Sequence, residues 1–309
     1  MKFAKISDLK EIWERLFEIT EHPSPFFSYG WFYALGKCLV KKEIEAMVFY
    51  EERKAVGIFP AEIKNHNLSL IGDERVTDLN GIIFNPHYLN KIIKVLADFI
   101  MEEDLRVELY PLAKESELMR LLPDMLKEEK VEKAEPFSVL KLPSSWDRYL
   151  NSLSSKNRHE LRRKLTKAKG AEIKNLKAKY INKLFELMGS SSTEKKSFLS
   201  KEMKNFFSML ALYLEEIGAL RLKASFYKGE IIGILFCFQM GNTVYAFNTG
   251  YNPDFLKLSP GFISFALDIK SAISEGFSYY NFLRGKERFK FDLGAKRIYT
   301  WKIKRLKSV

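Results

Sequence analysis

Residues 231–270 read IIGILFCFQMGNTVYAFNTGYNPDFLKLSPGFISFALDIK. Two apolar runs, 231–239 and 243–250, flank a Gly241-Asn242 turn, which predicts a pair of antiparallel strands. After Asn252-Pro253 the period changes. Phe262, Phe265, Ile269 and Ile273 recur at spacings of three and four, the signature of a helix with one apolar face. Upstream, LRLKASFY at 220–227 supplies a third strand with a turn at Lys228-Gly229, and downstream FSYYNFL at 277–283 supplies a fourth.

The first half of the chain follows the same plan. EAMVFY, AVGIFPAEI and NLSLIG predict a three-stranded meander; NPHYLN is followed by a helix with Leu89, Ile92, Ile93, Leu96, Phe99 and Ile100 on one stripe, and LRVELYPL is the next strand. The correspondence extends to residues. FY stands at 49–50 and 226–227, VGI at 56–58 against IGI at 232–234, and NPHYL at 85–89 against NPDFL at 252–256. These matches, in one order, predict two copies of one fold. Before the first meander come a helical pattern at Leu9, Ile12, Trp13, Leu16 and Phe17, an HPSP turn at 22–25 and an aromatic helix over 26–39. A helix is also predicted over 116–130. Between the copies lie a basic helix over 153–169 and an amphipathic helix over 198–217. The break between copies is placed near 136–145, giving domains of 1–140 and 141–309.

A chain of 309 residues accommodates two such domains. Its composition, 46% hydrophobic and 29% charged, is that of a globular protein. The net charge of +12 is unevenly placed. Residues 1–145 hold 20 basic and 25 acidic side chains, a net −5, and 146–309 hold 31 and 14, a net +17. Two segments carry this excess: 156–183 at +9 and 284–309 at +8. Such a split predicts an anionic partner for the second domain.

Several chemistries lack their residues. The histidines, His22, His66, His87 and His159, are scattered without metal spacing, and no metal is expected. No G-x-S-x-G, P-loop or G-x-G-x-x-G occurs. Cys38 and Cys237 sit in apolar runs and are expected to pack in cores. The Gly189–Ser192 run is expected to be a mobile loop. The N-terminal residues carry charge in every turn, unlike a secretory leader, and 231–240 is too short to span a bilayer, so a cytoplasmic protein is expected.

Three places could carry chemistry. In LSPGF, Ser259 is expected to cap the helix, Pro260 suits its first position, and Gly261 allows close approach of a ligand. Free N–H groups at that terminus, with Lys257 nearby, suit a pyrophosphate. The basic helix presents Arg158, Arg162 and Arg163 beside a thin stripe of Leu153, Leu161 and Leu165. Its repulsion would be relieved by a polyanion. In LRGKERFK, Arg284, Lys286 and Lys290 follow a strand end, where a cation can hold phosphate or an oxyanion.

PFSVLKLPSSWDRYLNSLSSKNRHELRRKL, GYNPDFLKLSPGF and GFSYYNFLRGKERFK, in that order, resemble the GNAT acyltransferase superfamily. The nearest branch is the CelD-type acetyltransferase domain (cellulose-biosynthesis-associated), with the Fem peptidyltransferases as relatives. The resemblance implies an α+β (α/β) tandem GNAT fold with two mixed sheets flanked by helices. It implies acyl transfer from acetyl-CoA or another acyl-CoA, or from aminoacyl-tRNA in the Fem branch, to an amine or hydroxyl of an anionic small-molecule or peptide acceptor. The donor pyrophosphate would map onto Lys257, Ser259 and Gly261. The Phe289-Lys290 pair matches the Fem FK pair, whose lysine contacts phosphate or the oxyanion. Of the usual Q/R-x-x-G-x-G/A loop only Gly261 remains. Asn281 stands where the CelD branch has Asp, and Phe289 where it has Tyr. Asn281 could position an acceptor but not take its proton. Arg284 and Lys290 are the candidate catalytic cations; Arg158, Arg162, Arg163 and Lys286 are the candidate anion-binding residues. The alternative classes are a tRNA-dependent peptidyltransferase and a non-catalytic module that binds a nucleotide or nucleic acid.

Overall fold

A computed structural model describes residues 1–21, 23–127 and 129–306. His22 of the HPSP turn and the last three residues of the basic C-terminal segment lie outside the described residues. The chain forms two units. The first comprises Met1–Pro136 and the segment from Tyr299 onward, the second Phe137–Ile298. The chain passes from one to the other inside a strand at 136–137, with no linker, and returns at 298–299.

In the first unit β1 (Lys2–Lys5) precedes α1 (Lys10–Ile19) and α2 (Tyr29–Ala34). The aromatic segment is not one helix. Ser24 and Ser28 each accept a backbone N–H, starting a 3-10 turn at Pro25–Phe27 and then α2, and a π-type turn, Leu35–Val40, ends it. The expected meander is split between two sheets: β2 (Glu45–Glu51) pairs with β1 and β3 (Lys54–Phe59) in one, and β4 (Ala61–Lys64) pairs with β5 (Asn67–Leu70) in the other. β3 and β4, read as one run in the sequence, part at Pro60, which has no N–H for a ladder. After β6 (Ile83–Phe84), α3 (Leu89–Glu102) buries Ile92, Ile93, Leu96, Ala97 and Ile100 in the core. β7 (Arg106–Leu112) then pairs with β5 in parallel, Leu68 beside Val107. The helix predicted over 116–130 is only α4 (Glu117–Leu121). Pro123 stops it, and β8 (Glu129–Lys141) begins where the helix was expected to continue.

The second unit contains α5 (Trp146–Ser152), α6 (Ser155–Lys167), β9 (Glu172–Leu176), α7 (Ile181–Ser191), α8 (Thr193–Phe198) and α9 (Lys201–Glu216). Then come β10 (Leu220–Tyr227), β11 (Glu230–Met240), β12 (Thr243–Tyr251), α10 (Pro260–Ser274), β13 (Tyr279–Arg284) and α11 (Arg288–Asp292). The sheet order is β8-β13-β12-β11-β10-β9, antiparallel except between β12 and β13. The last strand, β14 (Lys296–Arg305), pairs with β7 in the first unit.

The two-copy expectation is therefore met in topology. Each copy has antiparallel strand pairs, a helix, and one parallel pairing, β5 with β7 and β12 with β13, but in the first copy the pairs β2–β3 and β4–β5 belong to different sheets. The strand completing each is exchanged. β8, which follows the first copy, pairs with β13; β14, which follows the second, pairs with β7. The Gly189–Ser192 run is not a loop. Its first three residues end α7, and Ser192 caps α8 by accepting the Lys195 N–H. Both cysteines are buried and free. No helix among the described residues is long and apolar enough to cross a membrane.

Candidate functional site

The second unit's sheet opens between β12 and β13. Their parallel pairing covers only Thr243–Tyr279, Val244–Tyr280 and Tyr245–Asn281, although β12 continues to Tyr251 and β13 to Arg284. Local backbone accounts for the divergence. β12 carries an irregularity against β11 beside Phe236 and Cys237, and β13 shifts register against β8 after Asn281. Leu283 has φ +58°. The Asn281 side-chain oxygen accepts the Leu283 N–H at 2.9 Å, so this side chain builds the turn that bends β13 away.

Lys290 lies just past that bend. It is 4% exposed, and its Nζ donates to the Arg284 carbonyl at 2.6 Å and pairs with Glu287 Oε2 at 3.0 Å. Arg284 is half-buried and Lys286 exposed. Phe289 stacks on Phe265 of α10 with centroids 5.0 Å apart, which fixes the start of α11. Gly285 has φ +123°, a conformation side chains rarely adopt, and a Cβ there would collide with the Glu287 carboxylate and lie 2.7 Å from Lys290 Nζ. Gly285→Ala should lower stability by about 1–3 kcal/mol through backbone strain, measured by urea denaturation.

The expected anion site is the N-terminus of α10. Pro260 occupies its first position, as predicted. Ser259 does not cap it. Its backbone is left-handed (φ +55°, ψ +59°) and its side chain accepts no capping hydrogen bond; only its carbonyl accepts the Ile263 N–H, at 3.0 Å. The N–H groups of Gly261 and Phe262 come before the first intrahelical bond. A Cβ on Gly261 would meet Tyr251 only at 3.6 Å, so packing within the chain does not demand glycine there. Lys257 is exposed in the preceding 3-10 turn, Pro253–Leu258.

The basic helix α6 touches both places. Lys164 Nζ lies 4.1 Å from the Phe262 ring centroid at the start of α10, and Asn157 donates to the Phe291 carbonyl of α11 at 3.3 Å. Leu161 is buried in the core. At 3.6 residues per turn Arg158 and Arg162 share the flank of this inward face. No ion pair engages either among the described residues. Arg163 points the other way, to Glu160, with two hydrogen bonds of 2.8 Å. Those bonds hold the Glu160 carboxyl down at about 2. The structure thus gathers Arg158 and Arg162 on one flank and leaves Arg163 apart.

Two groups were not singled out in the sequence. Lys195 of α8 donates to the Thr249 carbonyl of β12 at 2.6 Å. The second is a buried ionic cluster. Arg221 of β10 grips Asp268 of α10, with Nη2–Oδ1 at 2.7 Å and side chains 1% and 0% exposed. Tyr280 of β13 donates to Asp268 at 2.8 Å, and Glu275 holds Arg221 at 2.5 Å and Lys223 at 3.3 Å. Burial beside Asp268 pushes the Tyr280 phenol far above its usual range, so it remains a donor. The cluster ties α10 to β10 and to β13, the latter on one side of the opening. A charged residue in each buried run, Arg221 and Lys223 in a strand and Asp268 in an apolar stripe, was the available signal. Among the described residues no group of three His, Cys, Asp or Glu is placed to hold a metal ion.

Among the described residues of the first unit are open clefts of about 460 and 720 Å³. The smaller is lined by Phe32, Tyr33, Lys37, Lys41 and Lys42 among others. Neither includes a residue singled out in the sequence.

Residues 155–291 match the model of the acetyltransferase (GNAT) domain family. No curated protein matches the chain. Among solved structures, FemX superposes with a TM-score of 0.67 at 11% identity, covering 99% of this chain and 98% of its own. L-PGS from Bacillus licheniformis gives 0.62 at 13% identity, covering 97% and 92%. The C-terminal DUF2156 domain of a protein described as a lysylphosphatidylglycerol synthetase, from Agrobacterium fabrum, gives 0.60 at 9%, covering 97% and 92%. At these identities the likeness is one of fold.

Proposed function

We propose, from the GNAT-superfamily, Fem-related fold that this chain has, that it is an acyltransferase whose donor lies in the second unit. The observation that carries this reading is the opening between β12 and β13, with the α10 N-terminus on one side and the buried Lys290 ammonium on the other. The anionic part of the donor would rest on the N–H groups of Gly261 and Phe262, supported by Lys257 and by Arg158 and Arg162 of α6. Lys290 has three N–H donors and spends two on Arg284 and Glu287. The third would stabilise the oxyanion formed when the acceptor attacks the acyl carbonyl. Arg284 would hold phosphate, Lys286 would add charge at the mouth, and Asn281 would keep β13 bent so that the carbonyl can enter. Catalysis would rest on orientation and preorganised electrostatics, with no metal.

The donor on this reading is an acyl-CoA or similar thioester and the acceptor an anionic amine or alcohol. The likeness to FemX favours a second reading, an aminoacyl-tRNA donor, and the +17 of residues 146–309 suits a polyanion of that size. The donor also decides between the CelD-type and Fem-type branches. Lys290→Ala should reduce acyl transfer by about a hundredfold or more, the usual cost of losing one oxyanion donor. Arg284→Ala should mainly weaken donor binding. Thiol release from an acyl-CoA, or deacylation of charged tRNA, reads both variants. Rates unchanged by both would remove these residues from the site.

A further inference from the structure

Lys195 has an arrangement that the acyl-transfer reading leaves unused. It sits on the first turn of α8, whose start is fixed by the Ser192 cap. Its Nζ reaches the Thr249 carbonyl, four residues beyond Tyr245, where β12 has already left β13. The preceding helix α7 is pressed onto β12 there: a Cβ on Gly250 would lie 2.6 Å from the Met188 nitrogen, so the path of α7 into α8 is set by backbone contact. Lys290 reaches the corresponding place past the end of β13. Glu287 forms an ion pair with Lys290 at 3.0 Å, and its charge also favours the protonated form of Lys195 without pairing with it.

The two lysines are held unequally. Lys290 has a carboxylate and a carbonyl; Lys195 has one neutral oxygen within hydrogen-bond distance, and the Thr249 hydroxyl beside it has no partner among the described residues. We propose that Lys195 is a modification site, an amine of the chain itself that accepts an acyl group from a thioester at the open end of β12. This rests on the acyl-donor reading only for the identity of the natural donor. Burial favours the neutral amine, while the charges that face it, Glu287 before α11 and Glu194 on its own helix, oppose that effect without cancelling it. The neutral nitrogen attacks the thioester carbonyl carbon. The C–N bond forms, the C–S bond breaks, the sulfur leaves with the electron pair, and the proton lost by nitrogen returns it to a thiol. The product amide is uncharged but keeps an N–H for the Thr249 carbonyl.

The test uses the full chain with acetyl-CoA and, separately, with S-acetyl-N-acetylcysteamine, a thioester without a nucleotide. Site-resolved mass spectrometry follows each lysine near neutral pH. Lys195 should be acetylated severalfold faster than Lys196, its exposed neighbour on the same helix, and Glu287→Gln should increase the Lys195 rate by removing the charge that retains its proton. Selective labelling by the small thioester but not by acetyl-CoA supports the modification site and counts against CoA as donor. Lys195 labelled no faster than Lys196 by either reagent overturns the proposal. If acetyl-CoA still stabilises the fold in that case, the donor reading survives without it. A Lys195 rate lowered by Glu287→Gln also overturns the proposal.

Discussion

Asp268→Ala should lower the free energy of unfolding by about 3–5 kcal/mol, the usual cost of removing one partner from a buried ion pair. Asp268 is fully buried and accepts from Arg221 and Tyr280; without its carboxylate the one remaining acidic partner of Arg221 among the described residues is the half-exposed Glu275. Urea denaturation should show a lower midpoint with an unchanged slope. The expected recovery identifies the cause. Asp268→Leu combined with Arg221→Met should regain most of the loss, because apolar groups of similar size need no counter-charge. The same cluster sets an acid limit. Burial works to raise the Glu275 carboxyl, but hydrogen bonds from Arg221 and Ser271 outweigh it and hold it at about 2, below its ordinary 4.5. The unfolded chain therefore binds this proton more tightly than the native one. The stabilisation is present above about 4.5 and is lost as pH falls towards about 2. A variant lacking Arg221 should lose this acid dependence, read from unfolding midpoints across that range.

Arg305→Ala should cost about 3 kcal/mol, and this loss belongs to the first unit. The Arg305 side chain is buried. Nη1 donates to the Leu105 carbonyl at 2.6 Å, Nε to Lys127 at 3.2 Å, and Nη2 pairs with Asp104 at 3.1 Å. Each acceptor lies between α3 and β8, so Arg305 pins the exchanged strand β14 to the copy it completes. Arg305→Lys should recover only part of the loss, because an ammonium cannot span three acceptors in a planar fork. Hydrogen exchange should show the added opening at β7 and β14 rather than at β10–β12. Equal loss of protection in both units would contradict the assignment of β14 to the first.

These two arginines mark what the sequence conceals. The meanders, α3 and α10 were legible because apolar residues recur at two or at three and four, and the duplication was legible because the NP turns and VGI/IGI pairs fall in one order. β8 and β14 were not. Their segments, EKVEKAEPFSVLK and KRIYTWKIKR, carry charge on the exposed positions and look like linker and tail, and their pairing comes from the other copy. No local pattern reports a partner more than a hundred residues away. In the site, the predicted strand end brought out Arg284 and Lys290, resemblance brought out Asn281, and the structure sets all three on one bend. Helical periodicity alone could have set Arg163 apart from Arg158 and Arg162. Lys195 was passed over because Gly189–Ser192 looked like a loop, which hid the helix that follows. Ser259 failed as a cap because the Asn252-Pro253 turn delivers the chain to α10 in a left-handed conformation that composition does not foretell.

The central claim is that the second unit binds an acyl donor through the α10 N-terminus and Lys290. A thermal-unfolding titration tests it most directly, with acetyl-CoA, longer acyl-CoAs and aminoacyl-tRNA each added at about 50 and about 200 mM salt. Saturating donor should stabilise the wild-type chain by about 2–3 kcal/mol at a hundredfold excess over its dissociation constant, and the gain should shrink in Lys290→Ala. A gain from tRNA that collapses at the higher salt selects the peptidyltransferase reading; one from an acyl-CoA that persists selects the thioester. No stabilisation by any of them at the lower salt, in a chain that unfolds cooperatively, would contradict the account.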